Sequence, residues 1–190
     1  IRNPRLMRAL RATMAAEGVV LREHVGADGI RVHAGRVTGV DTCVGAVPAD
    51  LVVVAAGAWS AALLEGLGAT PPGIRPVRGQ MLAFAGASDW LRHVVLVRDR
   101  YLIPRNDGTM LVGSTLEEAG FDRSTTDAAR ADLSGFAREL LPALAGCSPL
   151  AHWSGLRPGS DDGVPTIGAH PEVAGLWVNA GHFRNGVVTA

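Results

Sequence analysis

The chain has 190 residues, 47% of them apolar and 19% charged, a balance that belongs to a globular protein and excludes a disordered one. Eighteen basic residues offset eighteen acidic ones, so no net field draws the chain to nucleic acid or to an anionic membrane surface. Every basic residue is arginine, which excludes a Schiff-base lysine, a Walker lysine and a Ser-Lys pair.

In chain order, Asn3-Pro4 reads as a helix start, with Asn3 as the cap and Pro4 where no N–H is needed. Leu6, Leu10 and Met14 recur every fourth residue, and Gly18 supplies the stop. Val19 to Leu21 is expected as a short buried strand, followed by a meander of small strands punctuated by Gly26, Gly29, Gly35, Gly39 and Gly45. Asp50 to Ala55 reads as a strand buried on both faces of a parallel sheet, and Leu51 to Ala56 is the longest strongly apolar run, far short of a membrane span. Ala56-Gly57-Ala58-Trp59-Ser60 then turns into a helix over Ala61 to Leu67, ended by Gly68. Small residues at a strand's carboxyl end let a ligand approach the backbone, although an ordinary strand-to-helix turn has the same look.

Pro71-Pro72-Gly73 marks a boundary. Beyond it Gly79–Phe84, Val94–Val97, Tyr101–Pro104 and Met110–Gly113 are expected as antiparallel strands, with a hairpin turn at Asn106-Asp107-Gly108. Ser124-Thr125-Thr126-Asp127 opens a helix with Leu133, Phe136, Leu140 and Leu141 on one face, stopped at Pro142. A last β-segment over His152 to Leu156 leads into a tail of glycine-bounded turns: Gly155-Leu156-Arg157-Pro158-Gly159, Asp162-Gly163-Val164-Pro165 and Gly181-His182-Phe183-Arg184-Asn185-Gly186. Such turns present side chains to a ligand and are not needed to fill a core. Asp161-Asp162 invites a metal reading, but adjacent acids in a turn are usually solvated, and no His or Cys stands at ligand spacing, so no metal is expected. No Gly-x-Ser-x-Gly elbow supports hydrolase chemistry. Cys43 and Cys147 read as free thiols of a reducing cytosol.

Six strings in this order carry a resemblance: Ala55-Ala56-Gly57-Ala58-Trp59-Ser60, Pro76-Val77-Arg78-Gly79-Gln80, Tyr101-Leu102-Ile103-Pro104-Arg105, Val112-Gly113-Ser114-Thr115, Trp153-Ser154-Gly155-Leu156-Arg157-Pro158-Gly159 and Gly181-His182-Phe183-Arg184-Asn185-Gly186. They resemble the flavin-dependent amino-acid oxidases of the D-amino-acid oxidase superfamily, and most closely its glycine oxidases, which serve thiazole formation in thiamine biosynthesis. The resemblance implies a mixed α/β (α+β) chain: part of a Rossmann-like FAD-binding domain over 1–70, an antiparallel-sheet substrate domain over 71–152, and a return to the FAD domain over 153–190. It departs from the family in lacking the Gly-x-Gly-x-x-Gly turn that holds the FAD pyrophosphate, so the chain reads as the middle and late part of a longer enzyme.

By this resemblance Arg157 pairs with the substrate carboxylate, a task that suits a planar fork of donors. Tyr101, the single tyrosine, helps hold that carboxylate, where otherwise it reads as strand core. Arg184 stands beside the flavin and the substrate. Gly57, Ala58 and Trp59 correspond to a FAD contact, as do Gly181, His182, Arg184, Asn185 and Gly186, and Val25-Gly26-Ala27 falls where the family touches the adenine. Arg78 and Gln80 organise the turn between domains. The implied cofactor is FAD and the implied partners are a small amino acid and oxygen, in the cytoplasm, with no nucleic acid and no membrane. Two other readings stay open: a D-amino-acid dehydrogenase passing electrons to a quinone, and a non-catalytic module that self-associates into a homo-oligomer.

Overall fold

The computed structural model describes residues 2–68, 73–85 and 90–187. The boundary residues Pro71 and Pro72 lie outside them. Helix α1 spans Asn3–Ala16; Asn3 is its first residue and gives no side-chain cap, while Arg2 precedes it in extended conformation. Gly18 leaves the helix at φ +73°, a left-handed stop that glycine adopts without steric cost. No residue of α1 is buried, and Leu10 on its apolar stripe is 46% exposed. Val19 to Leu21 is neither a strand nor buried, with Val20 79% exposed. A strand needs a neighbour for its N–H and C=O groups and a layer over its side chains. The described residues provide neither at this point.

Three sheets follow. β1 (Ala27–His33), β2 (Arg36–Thr42) and β3 (Gly45–Pro48) form the expected meander, turned at Ala34 and Gly35, both at positive φ as a tight hairpin requires. β4 (Val52–Val54) runs parallel to β11 (Leu176–Ala180), which pairs on its other side with antiparallel β10 (Thr166–Ala169). Among the described residues β4 is therefore an edge strand. Val54 is buried, but Val53 and Leu51 are each more than half exposed, so the expected burial on both faces is corrected to burial on one. A 3-10 turn over Gly57–Trp59 leads into α2 (Ser60–Leu64), which is shorter than the pattern suggests because the chain turns extended at Glu65. Val37, Val54, Leu64, Ile74, Leu176 and Val178 form the core of this half.

The third sheet is antiparallel, in the order β6 (Val95–Val97), β7 (Arg100–Pro104), β8 (Thr109–Gly113), β5 (Arg75–Ala85), β9 (Ala151–Gly159). On one face Leu82, Phe84, Leu102, Met110 and Val112 pack against α3 (Asp127–Leu140) through Leu133 and Ala137. Thr126 caps α3 by accepting the Ala129 N–H at 3.2 Å. The buried residues are Ala129, Leu133, Ser134 and Ala137, whereas Phe136 and Leu141 are only partly buried and Leu140 is 37% exposed. Alanines one helical turn either side of a leucine let the helix axis approach the sheet closely, which turns Phe136 and Leu140 to the flank. The opposite face of this sheet is left for the site.

Candidate active site

Opposed residues of an antiparallel ladder project to the same face, so the register predicts which side chains meet. Val77 stands opposite Arg157, Gly79 opposite Gly155, and Met81 opposite both Trp153 and Gly113, while Gly113 also faces Tyr101. Arg157, Tyr101, Met81 and Trp153 therefore share the face turned away from α3. Tyr101, Met81, Trp153, Ile103, Leu111 and Arg105 line a cleft of about 520 Å³ on that face.

Two glycines make room for the two expected carboxylate ligands. A Cβ at Gly79 would fall inside the Arg157 guanidinium, and one at Gly113 would lie 2.9 Å from the Tyr101 ring and hydroxyl. A glycine inside a strand commonly marks such a close approach. The guanidinium is fixed in rotation: Nη2 donates to Ser114 Oγ at 2.8 Å and Nη1 to the Thr115 carbonyl at 3.2 Å. Burial pushes the Arg157 pKa below the ordinary arginine range, Tyr101 raises it by charge and hydrogen bonding, and nearby Arg184 lowers it. Arginine stays a cation under all of these influences. Ser114 and Thr115 take two of its five N–H groups, which leaves donors for the Tyr101 hydroxyl and for a ligand.

Arg184 is exposed in the turn after β11, where its Nη2 donates to the Asp99 carbonyl at 3.4 Å. That turn is tied to β9 by the Phe183 N–H, which donates to the carbonyl of Pro158, the neighbour of Arg157, at 2.9 Å. Within it Gly181 is buried at φ +81°, and the Asn185 N–H donates to the His182 carbonyl at 2.9 Å. The His182 Nε2 lies 2.6 Å from Asn179 Oδ1. A Cβ at Gly186 would approach the His182 Cβ to 3.4 Å. Arg157, Tyr101 and Arg184 thus converge with the 181–186 turn.

The 57–59 turn packs on β5 and β9 from the other half of the chain. Gly57 has φ +56° with open space over its α-carbon, Ala58 is buried, and the half-exposed Trp59 ring meets Phe121 at 5.5 Å. Val25-Gly26-Ala27 leads into β1, and its Gly26 N–H points to Cys43 Sγ at 3.3 Å. Asp161 pairs with Arg75 at 2.9 Å, while Asp162 accepts the Val164 N–H. Sequence reasoning did not single out Gly79, Gly113, Ser114 and Thr115 as site residues. The two strand glycines were the available signal.

A flavin needs backbone that it can approach closely and polar groups left over for its edge. The open Gly57 and buried Gly181 supply the first. For the second, Ser60 and Ser160 each bury a hydroxyl with no hydrogen-bond partner among the described residues, Ser60 after the 57–59 turn and Ser160 beside Gly181. The residues present fit the ring side of such a cofactor.

A parallel strand pair with glycine-opened turns stands beside an antiparallel sheet that presents an arginine and a tyrosine, an arrangement that fits a flavin-dependent oxidoreductase. The model of the FAD dependent oxidoreductase (DAO) family matches residues 1–190, and the chain belongs to that family. It is 52% identical over its whole length to a glycine oxidase of Pseudomonas putida, of which it covers 52%. A D-amino acid dehydrogenase of Cereibacter sphaeroides is 38% identical over 90% of the chain and 40% of that protein. The crystal structure of glycine oxidase from Geobacillus kaustophilus superposes with a TM-score of 0.90 at 33% identity, covering 97% of this chain and 50% of that one. The chain spans about half the length of the curated relatives it matches.

Proposed function

We propose that the whole protein is an FAD-dependent oxidase of glycine or another small amino acid. The observation that carries this reading is the Arg157 guanidinium, half-buried, locked by Ser114 and Thr115, and lying beside Tyr101 with N–H donors to spare. The chemistry that a bound FAD would supply is a hydride acceptor for the substrate Cα–H and a route for the electrons to oxygen, giving hydrogen peroxide. The chain's own residues do the positioning. Arg157 and Tyr101 bind the carboxylate, the apolar wall of Met81, Ile103, Leu111 and Trp153 excludes water, and Arg184 with the 181–186 turn borders the amine side. The resulting imine hydrolyses to a 2-oxo acid. Residues 57–59 and 181–186 hold the cofactor, with 1–70 and the chain after β9 on the FAD side, and 71–152 with the rest of β9 on the substrate side. Two cysteines without a disulfide fit a cytoplasmic enzyme.

Losing a charged, bidentate hydrogen-bond partner costs about 1.5–3 kcal/mol, or roughly ten- to a hundredfold in affinity. Arg157→Ala in the flavin-loaded protein is therefore expected to raise the KM for glycine by about that factor while FAD stays bound. An unchanged KM removes the carboxylate-clamp assignment. The dehydrogenase relative favours a second reading, in which electrons go to a quinone. Stoichiometric peroxide with oxygen as sole acceptor decides for the oxidase.

A further inference from the structure

Beneath the cleft, on the α3 side of β5, lies a polar cluster that reaches Arg157 through a single residue. Arg78 and Gln80 are 7% and 0% exposed. Arg78 donates from Nε and Nη2 to Glu117 Oε2 at 2.9 and 2.6 Å, and from Nη1 to Asp122 at 2.6 Å. Gln80 Nε2 donates to both Glu117 oxygens, at 2.8 and 3.1 Å. The Thr115 hydroxyl closes the cluster, accepting the Gln80 backbone N–H at 2.8 Å and donating its own proton to Glu117 Oε1. With its acceptor side held by Gln80, that hydroxyl proton is directed to Glu117, so the Thr115 side chain cannot rotate without losing a bond. On the cleft side the same residue's carbonyl, and the hydroxyl of adjoining Ser114, are the two acceptors that hold Arg157.

We propose that Glu117 is a positioning residue: acting through the Thr115 hydroxyl, it holds the acceptors that orient the Arg157 guanidinium before substrate arrives. The inference rests on reading Arg157 as the carboxylate-binding group. A fork already held in one rotamer loses less freedom when it binds a carboxylate, so the gain falls on binding and not on the hydride step. Glu117 does not line the cleft, and its two oxygens are taken up by Thr115, Arg78 and Gln80. Burial raises the pKa of its carboxyl, but the bonds from Thr115, Arg78 and Gln80 outweigh burial and set it below the usual carboxylate range, so it is an anion.

The test uses the flavin-loaded whole protein with glycine as substrate. Glu117→Gln and Thr115→Val are expected to raise KM about tenfold with kcat within twofold and flavin content unchanged. Thr115→Ser keeps the hydroxyl and should retain the wild-type KM. In an Arg157→Ala background the Glu117→Gln and Thr115→Val effects should vanish, because the group they orient is gone. Increments that multiply with Arg157→Ala, or an unchanged KM in both single variants, overturn the proposal. Loss of flavin or of folding in both variants makes the cluster a structural staple and overturns it as well. If Arg157→Ala itself leaves KM unchanged, the clamp reading fails first, and that outcome is distinct from the others.

Discussion

At Gly79 a methyl group would occupy the volume of the Arg157 guanidinium. The obstacle is the far end of a long, flexible side chain and not backbone, so the arginine yields and the strand does not. Gly79→Ala is accordingly expected to change stability by less than about 1 kcal/mol while raising the KM for glycine at least tenfold. Thermal unfolding and steady-state kinetics on one preparation check both halves, and an unchanged KM would show that the fork does not need its present place. The expectation that Arg157 faces a ligand came from the family resemblance and from Gly155, Pro158 and Gly159 around it. The floor under the guanidinium was not legible, because Gly79 and Arg157 are distant in sequence and meet only through the β5–β9 register.

Helix α3 is the element whose start was most clearly written. Thr126 accepts the Ala129 N–H at 3.2 Å and also receives Gln80 Nε2 at 3.2 Å, so one side chain both caps the helix and ties it to β5. Thr126→Ala should cost about 1 kcal/mol and lower the melting temperature by roughly 2–4 °C, measured by thermal denaturation. An unchanged melting temperature would mean that water replaces the cap at no cost. Strand lengths were less legible. β5 begins at Arg75 and not at Gly79, and β9 extends to Gly159, because Pro76 and Pro158 face each other in a ladder that runs past both. A proline reads as a strand end, yet it is tolerated where no N–H is required of it. Val19–Leu21 failed in the other direction: its apolar composition suits a strand, but composition provides no partner.

For the whole molecule, exposed apolar groups flank β4 and β11 as well as the outer strands of the antiparallel sheet, where Val94, Leu96 and Leu150 are each more than 60% exposed. Around β4 and β11, Leu51, Val53, Ile167 and Trp177 are 45–62% exposed, and Val20 in the segment after α1 is more exposed still. These 190 residues contain no Gly-x-Gly-x-x-Gly turn, and the pyrophosphate is the part of a dinucleotide that such a turn holds. We therefore expect the 190-residue chain, purified by itself, to carry little flavin and to self-associate through these exposed apolar groups. Absorbance and sizing report on this directly, and a stoichiometrically yellow monomer would overturn it. No helix among the described residues is long and apolar enough to cross a membrane.

Composition and local pattern were enough for the mixed α/β class, the hairpins, the capped helix and the ordered strings that carry the family resemblance, because each depends on neighbours within a few residues. Which side chains share the cleft was decided by strand pairing alone. That pairing sets Gly79 under Arg157, Gly113 under Tyr101, and Thr115 between Glu117 and the guanidinium. Burial of β4 and of the segment after α1 was likewise a tertiary matter, since a run of valines specifies an apolar surface but not the layer that covers it.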